Sequence, residues 1–224
     1  MKLSSNTTMV LKNFATINQN LVIKEGSELL TMSSMKNIVA KATVEENFPK
    51  EFAIYDLNEF LASLSIFKSP VLEFEEQYLT IKEEDQPHKK LTYFYSDPSV
   101  VQSPTNTIAM PSEEVKFHLD MNKLLEMKRA AGVIGSPDMV LQKSSGNSSL
   151  LVKDKKNDTA NNYSSDIKTD GDGEYKFFFK VENLKLFDGD YDVKISSKNI
   201  SHFKNDKSNI EYWIALEPES TYSN

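Results

Sequence analysis

Cysteine is absent from this chain of 224 residues, and glycine is scarce, at seven. The first absence excludes disulfides, thiol catalysis and cysteine-ligated zinc, and a cytoplasmic protein is the natural reading. The second speaks against nucleotide binding through a phosphate-cradling loop. Such a loop needs bare backbone N–H groups close to the anion, and neither GxGxxG nor GxxxxGKS/T occurs. No apolar run approaches the about 18 residues of a membrane span. The opening MKLSSNTTMVLKNF has no apolar stretch of signal-peptide length, so no signal peptide is expected. The Asn-X-Ser/Thr triplets at Asn6 and Asn199 then read as composition.

A catalytic constellation is also lacking. His88, His118 and His202 are scattered, with no second histidine or nucleophile at metal-site or triad spacing. Glu75–Glu76 and Glu83–Glu84 are adjacent pairs. In a strand their side chains point to opposite faces, which is poor geometry for shared acid–base work. Asp170–Gly173 (DGDG) and Asp188–Asp192 (DGDYD) lack the offsets and closing glutamate of a calcium loop, and read as tight turns. No enzyme, cofactor or metal is expected. The formal net charge of −7 disfavours general adhesion to nucleic acid or acidic membranes, so any contact with DNA would need a local basic face.

What is present is a repeated phrase. The apolar FAIY (Phe52–Tyr55) runs into DLNEFLASLS, FHLD (from Phe117) into MNKLLEMKRAAG, and FFKV (from Phe178) into ENLKLF. Each reads as a strand followed by a helix, the last at most a turn and a half. A first helix spans about 5–17, with Val10, Leu11, Phe14 and Ile17 on one stripe and Ser5, Thr8, Lys12 and Thr16 opposite. In the second helix Leu57, Phe60, Leu61 and Leu64 face inward and Glu59, Ala62 and Ser63 outward. In the third, Met121, Leu124 and Leu125 face inward. Helices thus begin near 5, 56, 120 and 182, each followed by three or four short strands. Between the second and third units lies SDPSVVQSPTNTIAMPS (Ser96–Ser112), with three prolines and no period, which reads as a connector. The expected fold class is α+β, with two similar domains at 1–108 and 109–224, each carrying two helices on antiparallel sheets.

The segments MKLSSNTTMVLKNFATIN, FAIYDLNEFLASLS and the closing WIALEPEST closely resemble the sliding clamp of T-even-type tailed phages, the DNA polymerase processivity factor. SDPSVV and ENLKLFDGDY fit the same family. The resemblance spans the chain, with divergent hairpins between the helices. It implies the DNA clamp fold and a closed homotrimeric ring with helices lining the hole. Implied partners are duplex DNA without sequence specificity, the replicative polymerase, an ATP-driven clamp loader, and the coactivator and sigma-like factor of late transcription. Implied location is the cytoplasm of the infected bacterial host, with no membrane. The competing reading is a β-rich structural or adaptor protein of a virion that never encloses DNA.

From spacing alone, a lysine opposite an apolar stripe is a solvated face more often than a DNA contact. The resemblance raises Lys2, Lys12, Lys123, Arg129 and Lys185 to candidate DNA-facing residues, with Lys185 the one base of the short fourth helix and no base on the second. Lys128 falls near the apolar side of its wheel. Clamps also dock partner peptides in an apolar pocket beside the connector and the C-terminus. That implies Val101, Ile108, Met110, Pro111, Leu216, Pro218 and Tyr222. Against this stands the plainer reading that Ile108 and Met110 plug the two domains together and that Tyr222 is disordered.

Overall fold

Each helix begins where a short acceptor side chain meets otherwise unpaired N–H groups. The computed structural model describes residues 1–104 and 108–223, so Thr105 to Thr107 of the connector lie outside the described residues. The chain divides into two compact units, Met1–Thr107 and Ile108–Asn224.

The first unit holds α1 (Ser5–Ile17), β1 (Leu21–Ile23), β2 (Gly26–Met32), β3 (Ile38–Phe48), β4 (Phe52–Ile54), α2 (Leu57–Ser65), β5 (Pro70–Phe74), β6 (Tyr78–Glu83) and β7 (Gln86–Phe94). All pairings are antiparallel: β1 with β4, β2 with β3, and β5-β6-β7 as a three-stranded sheet. Ser4 Oγ accepts from Thr7 N at 3.1 Å to start α1. Asp56 Oδ1 accepts from Asn58 N and Glu59 N at 2.9 and 3.2 Å to start α2. Val10, Leu11, Phe14 and Ile17 are buried as the helical period requires, and so are Leu57, Phe60 and Leu64. Phe52 anchors an aromatic cluster, 5.5 Å from Phe74 and 5.2 Å from Tyr95 between ring centroids.

The second unit holds β8 (Val115–Leu119), α3 (Met121–Ile134), β9 (Asp138–Ser144), β10 (Asn147–Lys153), β11 (Tyr163–Asp166), β12 (Glu174–Lys180), β13 (Tyr191–Ser196), β14 (Ile200–Asn205), β15 (Ile210–Ala215) and β16 (Thr221–Ser223). One antiparallel sheet runs β11-β10-β9-β12-β16. In the other, β14 lies between β15 and β13, and β13 pairs with β8. Asp120 Oδ1 accepts from Lys123 N at 2.8 Å, and Gly135 ends α3 in the left-handed conformation at φ 69°. The acidic DGDYD turn serves the same helix, because Asp190 Oδ1 accepts from Met121 N at 2.9 Å. Gly189 in that turn has φ 142°, and a Cβ there would come 2.2 Å from Asn205 Nδ2.

Three of the four expected α-helices form. The fourth is reduced to a 3-10 turn over Val181–Asn183. Lys180 stands at its cap position and supplies no side-chain hydrogen bond to the turn. Leu184 and Leu186 are then both buried, the two-residue alternation of extended chain rather than a helical stripe. On α3 the inward face also differs from expectation. Leu124, Met127 and Ala131 are buried, whereas Leu125 is 49% exposed. Residues 124, 127 and 131 follow the three-four spacing of one face, and Leu125 falls about 100° away from Leu124.

Candidate nucleic-acid and partner interfaces

The outward faces of the helices carry few bases. On α1, Ser5, Met9, Lys12 and Thr16 are exposed, and Lys12 makes no ion pair among the described residues. On α2 the exposed residues are Asn58, Glu59, Ala62 and Ser65, with no base. Beneath them Tyr93 packs edge-on against Phe60 at 5.3 Å. Its burial, together with Glu59 and Asp56, pushes its hydroxyl up to about 12. On α3, Arg129 is exposed without an ion pair among the described residues, beside Leu125 and Val133.

The other three basic candidates lie elsewhere. Lys2 is exposed but paired with Glu84 at 2.5 Å. Lys123 is turned toward β11, where its Nζ donates to Ser165 Oγ at 2.5 Å and meets Glu126 at 3.2 Å. The Glu126 carboxylate also accepts from the Tyr163 hydroxyl at 2.5 Å, and these two contacts hold its pKa below the usual carboxylate range. Lys123 therefore ties α3 to β11 instead of standing free on the outer face. Lys185 lies past the 3-10 turn, half-buried, and belongs to no helix. Lys128 is half-buried within α3 and donates to Leu184 O at 3.0 Å. Burial lowers its pKa, against the opposing pull of Asp188.

The seven partner-binding candidates do not gather into one exposed set. Val101 is 7% exposed and packs with Val22 and Ala53 in the core of the first unit. Leu216 is 6% exposed, with its N–H on Asn199 O. Val101 spends its apolar surface on the core of the first unit and Leu216 is buried, whereas a docking peptide would need such surface free. Ile108 and Met110 are half-buried, and Pro111 and Pro218 are exposed. Tyr222 is ordered on β16, with its ring stacked over Phe177 at 6.4 Å and 13°. The reading of Tyr222 as disordered is thereby corrected. A three-residue strand after Pro218 carries too little periodicity to be seen in sequence.

Two features escaped the sequence reading. The apolar strip of Leu125, Ala130 and Val133 on α3, next to Tyr163 of β11, lines a surface groove of about 550 Å³. Lys155 and Lys176 gather around Phe178, and the sequence signal for Lys176 was the EYKFFFK pattern of charge flanking a triple phenylalanine.

Both halves of the chain match known families. Residues 2–101 match the DNA polymerase processivity factor family, and residues 116–218 match the gp45 sliding clamp C-terminal family. The sliding clamp of Vibrio phage KVP40 is 33% identical over 223 residues, 97% of this chain and 99% of the relative. That of Enterobacteria phage T4 is 28% identical over 237 residues, 99% of each. Proliferating Cellular Nuclear Antigen from Entamoeba histolytica shares the fold at 12% identity, with a TM-score of 0.68 over 96% of this chain and 97% of that one. Similarity of this extent over both halves means that the chain belongs to the sliding-clamp family of T4-like phages, non-enzymatic processivity factors of DNA polymerase built on the DNA clamp fold.

Proposed function

We propose that three copies of this chain close head to tail into a ring around duplex DNA and tether the replicative polymerase. The two compact units serve as clamp domains with their boundary near residue 108. A clamp must hold DNA without stopping on it. Each neutralised phosphate adds salt-dependent affinity, so a sliding protein gains from few contacts. The observation that carries the reading is the sparse basicity of the outward helix faces: Lys12 and Arg129 without ion pairs among the described residues, α2 without any base, in a chain of net charge −7. No sequence-specific base readout is expected of such a face.

The sheet edges support head-to-tail closure. In the first unit β7 ends its sheet, with Phe94 69% exposed. In the second, β11 ends its sheet, with Tyr163 40% exposed. The opposite ends offer less bare backbone, one bonded to the N-terminus and the other formed by a strand of only three residues. Met1 exchanges two hydrogen bonds with Leu72 of β5, and β16 pairs with β12. One bare edge in each unit, β7 in the first and β11 in the second, supports a heterologous contact between copies of the chain. The clamp loader, and the coactivator and sigma-like factor of late transcription, are further partners in this reading, in the cytoplasm of the infected host.

The test loads the purified protein on nicked circular DNA with its loader and ATP, then linearises the circle. Loss of the protein on linearisation, with a trimeric mass in solution, is the expected result. Retention after linearisation, or a monomer that never loads, favours a virion adaptor that does not enclose DNA.

A further inference from the structure

The β9–β10 hairpin carries positive charge without a counter-ion. Its tip and residues 166–169 enclose a polar groove of about 830 Å³. Lys143 and Lys168 both line the groove, and neither forms an ion pair among the described residues. Lys143 is half-buried, and its Nζ donates to Gly171 O at 2.6 Å. That carbonyl is fixed in place. Asp170 exchanges two backbone hydrogen bonds with Lys116 of β8, at 2.7 and 2.8 Å, and a Cβ on Gly171 would come 2.9 Å from Glu114 O. The ammonium is therefore held at one point, and the carbonyl uses one of its three N–H donors. Strand register places Ser148, Lys143 and Tyr175 in one row on the same face of the sheet. Three hydroxyls meet there. Thr169 Oγ1 is 2.8 Å from Ser148 Oγ and 2.6 Å from the Tyr175 hydroxyl, while Ser148 and Tyr175 are 3.3 Å apart. Asp166 is the one carboxylate on the groove wall. It pairs with Ser149, so it stands on the sheet face opposite Ser148. Asp170 and Asp172 flank Gly171 in sequence but do not line the groove.

Partly burying an ammonium without a counter-charge is costly, and a bound anion relieves the cost. We propose that this groove binds a phosphate group, either the free ion or a phosphate monoester. Lys143 and Lys168 supply the charge. The hydroxyls supply direction. Tyr175, 4% exposed, donates to Thr169, and Thr169 donates to Ser148, which leaves the Ser148 O–H for the ligand. The 3.3 Å contact between Ser148 and Tyr175 is the longest of the three and the one this arrangement releases. Three donor groups thus come from β9, β10 and the 166–169 segment. A phosphate monoester presents three strong acceptor oxygens and can take all three, whereas a carboxylate has two. No aromatic side chain lines the groove, so the walls offer a nucleotide base nothing to stack on. Two ammonium groups against one carboxylate on the opposite face leave the site positive. Every residue in it belongs to the second unit, so the inference does not depend on ring formation.

The test titrates the full chain with inorganic phosphate at fixed ionic strength and follows amide NMR shifts. Saturable shifts at Lys143, Ser148 and Thr169 are expected, with a Kd on the order of 1 mM. Lys168 is exposed and makes no hydrogen bond or ion pair among the described residues, so Lys168→Met should leave the melting temperature unaltered. It should weaken phosphate binding by about tenfold, as should Lys143→Met. Ser148→Ala should weaken it by about fivefold, and Asp166→Asn should tighten it. No saturable shift at about twentyfold the expected Kd, or an unchanged affinity in both Lys168→Met and Ser148→Ala, overturns the proposal. Glycerol 3-phosphate is the second probe. Binding at least as tight as that of inorganic phosphate supports the site with a phosphorylated molecule as occupant. Weaker binding supports it with the free ion. A short DNA duplex that produces the same shifts at a lower phosphate concentration assigns the groove to nucleic acid and overturns the proposal.

Discussion

The carboxylate of Glu46, at the far end of β3, accepts a hydrogen bond from the hydroxyl of Thr7 in the first turn of α1. The same carboxylate accepts from Ser4 N, so a strand residue and Ser4 Oγ together close the start of the helix. Thr7 is wholly buried. Removing the acceptor leaves a buried hydroxyl and a helix N-terminus short of a partner. Glu46→Ala should therefore lower stability by about 1–3 kcal/mol, read by denaturant unfolding.

The pH dependence of the same group has a definite sign. Burial raises the Glu46 pKa, and the bonds from Thr7 and Ser4 lower it by more, so it lies below the reference value of 4.5. A carboxyl depressed in the folded state contributes its stability above the unfolded value. That contribution is lost as pH falls below about 4.5 and through the folded value. Glu46→Gln should flatten this part of the acid limb in a pH series of unfolding curves. An unchanged limb would assign the acid sensitivity to other carboxylates.

The DNA-facing assignment separates Lys12 and Arg129 from Lys123. Lys12→Glu with Arg129→Glu should reduce loading on nicked circles and lower the salt slope of DNA binding by about one per lost phosphate contact, with unchanged oligomeric mass. Lys123→Glu should act first on stability, because it places a carboxylate between Ser165 and Glu126. Its melting temperature should fall before its DNA dependence changes.

Leu125 and Val133 stand 49% and 79% exposed on α3. Substituting surface residues away from buried contacts usually changes folding stability by less than about 0.5 kcal/mol. Leu125→Asp with Val133→Asp should leave unfolding of the dilute chain nearly unaltered and shift the solution mass from trimer toward monomer. A stable trimer in this variant would remove α3 and β11 from the subunit contact.

Gly189 has a backbone conformation that side chains resist, and Asn205 blocks the space a Cβ would take. Asn205 is 3% exposed, and its Oδ1 is held by Ser208 N at 3.1 Å. Gly189→Ala should cost about 1–3 kcal/mol in unfolding experiments, and the loss should extend to the Asp190 cap on α3.

The local grammar of the chain was legible without coordinates. Asp56 and Asp120 announce helix starts because their side chains reach N–H groups two and three residues on, and the stripes of α1 and α2 follow from the helical period alone. The strand–helix phrase and its divided layout likewise rest on local pattern. Tertiary structure decided what depends on partners far along the chain. Lys12 and Lys123 look alike on a helical wheel, yet Lys123 is claimed by Ser165, 42 residues away. Val101 resembles an exposed pocket residue until Val22 and Ala53 of distant strands pack with it, and Leu216 is buried as well. ENLKLF has a helical composition, but without a capping side chain at Lys180 and with Leu184 and Leu186 both drawn into the core, it stays a single turn. Tyr222 acquires its place only because β12 offers an edge and Phe177 offers a ring. Backbone preference acts over a few residues and is written in sequence order. Burial and charge pairing are properties of the assembled surfaces, and they determine which of these side chains remain free to meet another molecule.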